Sequence, residues 1–129
     1  MRKDIENIED IKVLVDTFYG RVQENEFIGP IFNSKLEGRW PEHLEKMYAF
    51  WQTILLEEYT YRGKPFPPHA QLPVEGEHFE EWKRIFNGTV DELYEGKIAD
   101  EAKWRAERMA AMFLSKIEYF REAGMKPLE

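Results

Sequence analysis

Trp40-Pro41-Glu42-His43-Leu44-Glu45-Lys46-Met47-Tyr48-Ala49-Phe50-Trp51-Gln52-Thr53-Ile54 is the stretch on which the fold turns. His43, Met47, Phe50, Trp51 and Ile54 recur at the spacing of one face of a 3.6-residue helix. Pro41 stands in the first turn, where a helix tolerates proline. The face is apolar except for its histidine. On such a face a histidine is often a core residue with satisfied hydrogen bonds, and this one needs comparison with the other two.

Outward from this helix the same period continues. Ile11, Leu14, Val15, Phe18 and Val22 make one apolar stripe and predict a helix from about Ile8 to Gln23, with Tyr19 on the stripe's edge. Ile28-Gly29-Pro30-Ile31-Phe32-Asn33 reads as a short turn, dense in apolar groups for a connector. Phe79, Trp82, Ile85, Phe86, Val90 and Leu93 predict a helix from Glu77 to Tyr94. Ala102, Ala106, Met109, Ala110, Phe113, Ile117 and Phe120 predict a last one from about Ile98 to Ala123. No stretch alternates with period 2, so the class is all-α, with four substantial helices and short ones between. The segment from Glu57 to Pro73 is long and apolar for a connector, and Pro68 to Pro73 has room for one or two helical turns at most. Irregular segments of that kind in a small domain tend to be functional. Residues 1–129 read as a single domain, with 124–129 as a tail.

Composition narrows the function. Cysteine is absent, which excludes a disulfide scaffold, a thiolate zinc site, an iron–sulfur cluster and a cysteine nucleophile. Twenty-five acidic against 18 basic side chains give a net charge of −7, a poor balance for nucleic acid or an anionic membrane surface. The longest apolar run, Met109 to Leu114, is six residues, and a membrane helix needs about 20. No leader pattern follows Met1, so the expected location is the cytoplasm. The eight glycines form no phosphate loop, and the serines, Ser34 and Ser115, sit in no nucleophile elbow. No two histidines are three to five residues apart, as a helical zinc site would want. Aromatic residues, at 15%, are more than a small core needs.

One arrangement uses these features together. A haem takes an axial histidine, an apolar slot, and a hydrogen-bond donor over the iron. His69 could supply the ligand, Tyr19 and Trp82 the donors, and Phe18, Phe32, Met47, Phe50 and Phe86 the walls. Each has a plainer reading. Tyr19 taken alone is a core tyrosine with a backbone partner, Trp82 and the Phe stripe are core, and His78, among Glu75, Glu77, Glu80 and Glu81, is a solvated first-turn residue.

The order of these residues resembles the truncated haemoglobins, most closely their group III. The matching run is Phe18-Tyr19, Ile28-Gly29-Pro30-Ile31-Phe32, Trp40-Pro41-Glu42-His43, Phe50-Trp51, Tyr61-Arg62-Gly63, His69-Ala70-Gln71-Leu72-Pro73 and His78-Phe79-Glu80-Glu81-Trp82. No single piece is specific; the ordered set is. The resemblance implies a globin-like, two-over-two helical sandwich holding one haem b. It implies His69 as the iron ligand, with His78 the competitor. Tyr19, Trp82 and His43 become the residues that stabilise or gate the bound ligand, and Leu72 and Tyr61 join the haem contacts. Arg39, Lys46, Arg62 and Lys64 are candidates for the haem propionates, though each also reads as a solvated charge. The expected ligands are oxygen, carbon monoxide and nitric oxide, and the expected partner is a separate reductase. The expected state is a monomer. Nitric oxide dioxygenase or peroxidase-like chemistry, ligand binding or sensing without turnover, and a haem-free helical interaction module stay open as functions.

Overall fold

A computed structural model of the chain describes residues 2–63 and 73–123. Five helices follow in order: α1 (Ile8–Glu24), α2 (Gly29–Lys35), α3 (Trp40–Leu56), α4 (Gly76–Leu93) and α5 (Lys97–Ala123). No strand occurs among the described residues. The predicted tail 124–129, the Pro68 to Gln71 part of the proline-rich turn, and the site residues Lys64, His69 and Leu72 lie outside them.

Helix α1 is central, packing on α2, α3 and α4, and α4 also pairs with α5. The stripe Ile11, Leu14, Val15, Phe18 and Val22 is the buried face of α1. Its first turn is capped by Asn7, whose side chain accepts from the Asp10 backbone N–H at 3.1 Å. On α5, Ala99, Ala102, Ala106 and Ala110 are buried, so small side chains form much of the face that meets α4. Trp104 and Tyr119 are exposed.

The apolar turn expected at Ile28–Asn33 is instead helix α2. Pro30 presets its first turn, and Asn25 fixes the approach by accepting from the Phe27 and Ile28 N–H groups at 2.9 Å each. The α1–α2 corner is tight at Gly29. A Cβ there would lie 2.9 Å from the Val22 and Gln23 carbonyl oxygens, so only glycine fits.

The stretch before α1 is stitched to the α4–α5 corner. The Glu95 N–H donates to the Lys3 carbonyl at 2.9 Å, and the Tyr94 hydroxyl to the Asp10 carbonyl at 2.9 Å. The Asp4 carboxylate accepts from the Ile98 and Ala99 N–H groups, both at 2.9 Å. It therefore caps α5 from 94 residues away in sequence. Gly96 makes the approach possible: its φ is +142°, and a Cβ would sit 2.6 Å from the Asp4 carboxyl.

Burial pushes the Asp4 carboxyl up, but hydrogen bonds from Ile98, Ala99, Ile5 and Lys97 outweigh it and hold the group below its ordinary value. A depressed carboxylate contributes stability above its unfolded pKa of about 3.9 and loses it as pH falls through the lower folded value. Asp4→Ala should cost about 1–2 kcal/mol at pH 7, the usual range for a lost cap. In urea unfolding, the gap between wild type and variant should close as pH is lowered below that of the unfolded carboxyl. An equal gap at pH 7 and pH 2.5 would show that Asp4 does not act through its charge.

Candidate functional site

A cavity of about 1010 Å³ opens between α2, α3, α4 and α5, as large as pockets that enclose an organic cofactor, which run to about 1,000 Å³. Tyr19, His43, Met47, Phe50, Tyr61, Phe32 and Trp82 all line it, so residues spread from position 19 to 82 meet in one place. Phe18 and Phe86, expected on the walls, do not line it. They are 2% and 1% exposed and form the layer behind. Phe18 meets Tyr19, Trp82 and Phe86 edge-on, with ring centroids 4.8, 5.5 and 5.1 Å away.

Two donors of the lining have no partner among the described residues. Neither the Tyr19 hydroxyl nor the Trp82 indole N–H makes a hydrogen bond among the described residues, although Tyr19 is only 6% exposed. Burial alone pushes the Tyr19 phenol above its ordinary value, so it stays protonated and able to donate. His43 stands beside it, the rings 5.1 Å apart and perpendicular at 85°. Its Nε2 is closed off from solvent. Tyr19, His43 and Trp82 thus bring three polar groups in among the aromatic and aliphatic side chains of the slot.

The positions of these groups follow from the helices that carry them. Trp82 is placed by its neighbour Glu81, which accepts from Asn25 Nδ2 at 2.7 Å and from Arg84 at 2.8 and 2.7 Å. The Arg84 guanidinium and the Asn25 amide hold the Glu81 carboxyl down at about 2. The start of α4 is thereby tied to the α1–α2 corner. Tyr61 is placed by Thr53, whose hydroxyl accepts from the Thr60 and Tyr61 N–H groups at 3.1 and 3.0 Å and donates to the Ala49 carbonyl at 2.8 Å. The Tyr61 ring then packs edge-on against Phe50 at 5.3 Å, and burial pushes its phenol up.

Lys35, Arg39, Lys46 and Arg62 border the cavity with exposed side chains. Lys46 also pairs with Glu42 at 3.3 Å, an exposed contact worth little. His78 lines the cavity but has a structural task. Its Nδ1 accepts from the Glu75 N–H at 2.8 Å, half of a capping box on α4, and its ring stacks on Phe27 at 4.4 Å. Sequence reasoning missed Lys35 and also Val74, Phe79, Met109, Ala110 and Phe113, which close the far end. Phe79 and the α5 residues carry the same apolar period as a core stripe, so no signal separates the two roles.

A family model of bacterial-like globins matches residues 4–115. The chain is 32% identical over 117 residues to the group 3 truncated hemoglobin ctb of Campylobacter jejuni, covering 88% of this chain and 92% of that one. A crystal structure of the group III truncated hemoglobin from Campylobacter jejuni superposes with a TM-score of 0.81 at 31% identity, over 91% of this chain and 95% of the other.

If the Tyr19 hydroxyl serves the cavity rather than the core, its removal should leave the haem-free chain unharmed. Tyr19→Phe should change unfolding free energy in urea by no more than about 0.5 kcal/mol, or stabilise, since no partner is orphaned. A loss of 2 kcal/mol or more would reveal an internal acceptor for that hydroxyl.

Proposed function

The chain belongs to the bacterial-like globins, on the truncated haemoglobin branch, and on that premise we propose that it is a haem b protein that retains a diatomic gas rather than delivering it. The observation that carries this is the pair of unspent donors, Tyr19 and Trp82, on an aromatic slot of haem-accommodating size. The slot fits the group in three ways: flat rings to face a macrocycle, donors with no acceptor of their own, and cations at its border. When bound, haem supplies an iron that holds a diatomic ligand and exchanges electrons with it.

The chain's own residues do the rest. In this reading His69 ligates the metal. His78 does not, because its Nδ1 accepts from the Glu75 N–H, which leaves the ring proton on Nε2, the nitrogen that would have to ligate. Met47, Phe32, Phe50 and Tyr61 exclude water and offer apolar contact. Arg39, Lys46, Arg62 and Lys35 border the cavity and would supply counter-charge to the haem carboxylates. Tyr19 and Trp82 donate to a ligand atom that carries negative charge, and His43 controls the way in.

Hydrogen bonds to a charged acceptor net about 1.5–3 kcal/mol each, so two of them slow ligand release by more than a hundredfold at about 1.4 kcal/mol per decade. Slow release suits turnover. Conversion of nitric oxide and oxygen to nitrate takes up one electron per cycle, so that reaction calls for a separate reductase. A peroxidase-like cycle would use the same donors. The proposed working form is a cytoplasmic monomer.

Absorption spectra of the purified protein, ferric, reduced with dithionite, and then with carbon monoxide, test this directly. A Soret band that shifts with carbon monoxide should be lost in His69→Ala and kept in His78→Ala. Stopped-flow oxygen release should quicken by about tenfold or more in Tyr19→Phe and in Trp82→Phe, one charged hydrogen bond each. Absence of a Soret band after haem titration would overturn the proposal and leave a haem-free helical interaction module.

A further inference from the structure

Trp40 is the first residue of α3, three positions before His43, and the two share a side of the helix. It does not line the cavity, yet it touches two residues that do. Its ring centroid lies 5.8 Å from that of His43, nearly perpendicular at 82°, and 5.8 Å from that of Tyr19 at 60°. With the Tyr19–His43 contact at 5.1 Å, the three rings close a triangle. Tyr19 on α1 and Trp40 on its own helix each meet the His43 ring. Its Nε2 is shut off from solvent as a result of that placement. The first turn of α3 has no side-chain cap, since Arg39 makes no such bond. Packing of the Trp40 ring therefore restrains both the turn and the histidine.

We propose that Trp40 is a latch that keeps His43 in its inward position and so sets how readily the cavity admits a ligand. This rests on the reading of the cavity as a gas-binding haem site. To swing outward, the His43 ring must give up its edge contacts to Tyr19 and Trp40 together. Removing Trp40 takes away one of the contacts that hold the ring inward and moves the inward and outward positions toward balance. Trp40 acts through His43 and is a positioning residue, in contact with neither cofactor nor ligand. Of the charged side chains nearby, Arg39 is engaged by the Lys35 carbonyl at 2.6 Å and Glu42 by Lys46 at 3.3 Å.

The latch is read by the reactivity of His43. Wild type, Trp40→Ala and Trp40→Phe, purified as the full-length protein with bound haem, are treated briefly with diethyl pyrocarbonate. Modification is then mapped by mass spectrometry, with His78 as internal reference. An aromatic edge contact corresponds to about a two- to tenfold change in population. Trp40→Ala should therefore raise the His43-to-His78 modification ratio by about that factor, and Trp40→Phe should return it toward wild type. Carbon monoxide recombination after flash photolysis should quicken in Trp40→Ala, and that increment should vanish when His43→Ala is also present.

An unchanged ratio in a Trp40→Ala protein of unaltered circular dichroism would overturn the proposal. So would a recombination increment that survives the removal of His43. If Trp40→Ala does not fold, Trp40→Leu carries the same test, since it keeps apolar bulk without the ring. The modification ratio does not depend on haem. A protein without a Soret band but with the expected ratio would therefore sink the haem reading and leave the latch standing.

Discussion

Phe86 is held between two indoles, and the site depends on it. Its ring stacks on Trp51 at 5.1 Å and 19°, and on Trp82 at 5.6 Å and 6°. Phe18 closes the group edge-on, at 84° to Phe86 and 90° to Trp82. Four rings from α1, α3 and α4 thus form one block with no polar atom inside it except the indole nitrogens. Rings fix position better than flexible aliphatics, because each has two side-chain torsions and strongly directional contacts. Trp82 faces the cavity from this block, and Tyr19 leans on it through Phe18 at 4.8 Å. The donors are therefore mounted on the core, whereas Tyr61 depends on a loop clamped by Thr53.

That mounting explains why the two expected wall residues sit behind the wall. Phe18 and Tyr19 are neighbours on α1, about 100° apart around the helix axis. One faces the core and the other the cavity. A sequence stripe records that both avoid water and nothing more. A cofactor slot and a packed core are the same environment to an apolar side chain. The same blindness hid Met109, Ala110 and Phe113, which read as the inner face of α5 and also close the cavity. Polar groups were more legible. Tyr19, His43 and Trp82 stood out because a group that can donate a hydrogen bond is conspicuous on an apolar stripe.

The long helices were legible for a related reason. α1, α3, α4 and α5 each run 17 residues or more, enough for the 3.6 period to repeat. α2 has seven residues, two turns at most, and its proline and glycine read as punctuation. Its helicity comes from tertiary restraint: Asn25 shapes the approach, and Asn25 is in turn held by Glu81 of α4. The Asp4 cap on α5 is equally invisible to a local reading. No window on the sequence joins residues 94 apart, and α5 carries no recognisable capping box of its own.

The cavity has a cost that the rest of the chain offsets. Its two donors, the Tyr19 hydroxyl and the Trp82 indole N–H, have no partner among the described residues, and only water can satisfy them. Thinly packed walls add more, since a void deprives its lining of dispersion contacts. Against this stand the four-ring block, the alanine face of α5, and the stitching of the N-terminal stretch to the α4–α5 corner. The stitching lies away from the opening, and the other two stand behind or along the cavity wall. The molecule therefore concentrates its unfavourable features where a ligand can relieve them. A group that fills the slot and accepts from Tyr19 and Trp82 removes both penalties at once. Occupancy and stability are then coupled by mass action, and the donors that face the cavity are the ones the empty chain can least easily satisfy.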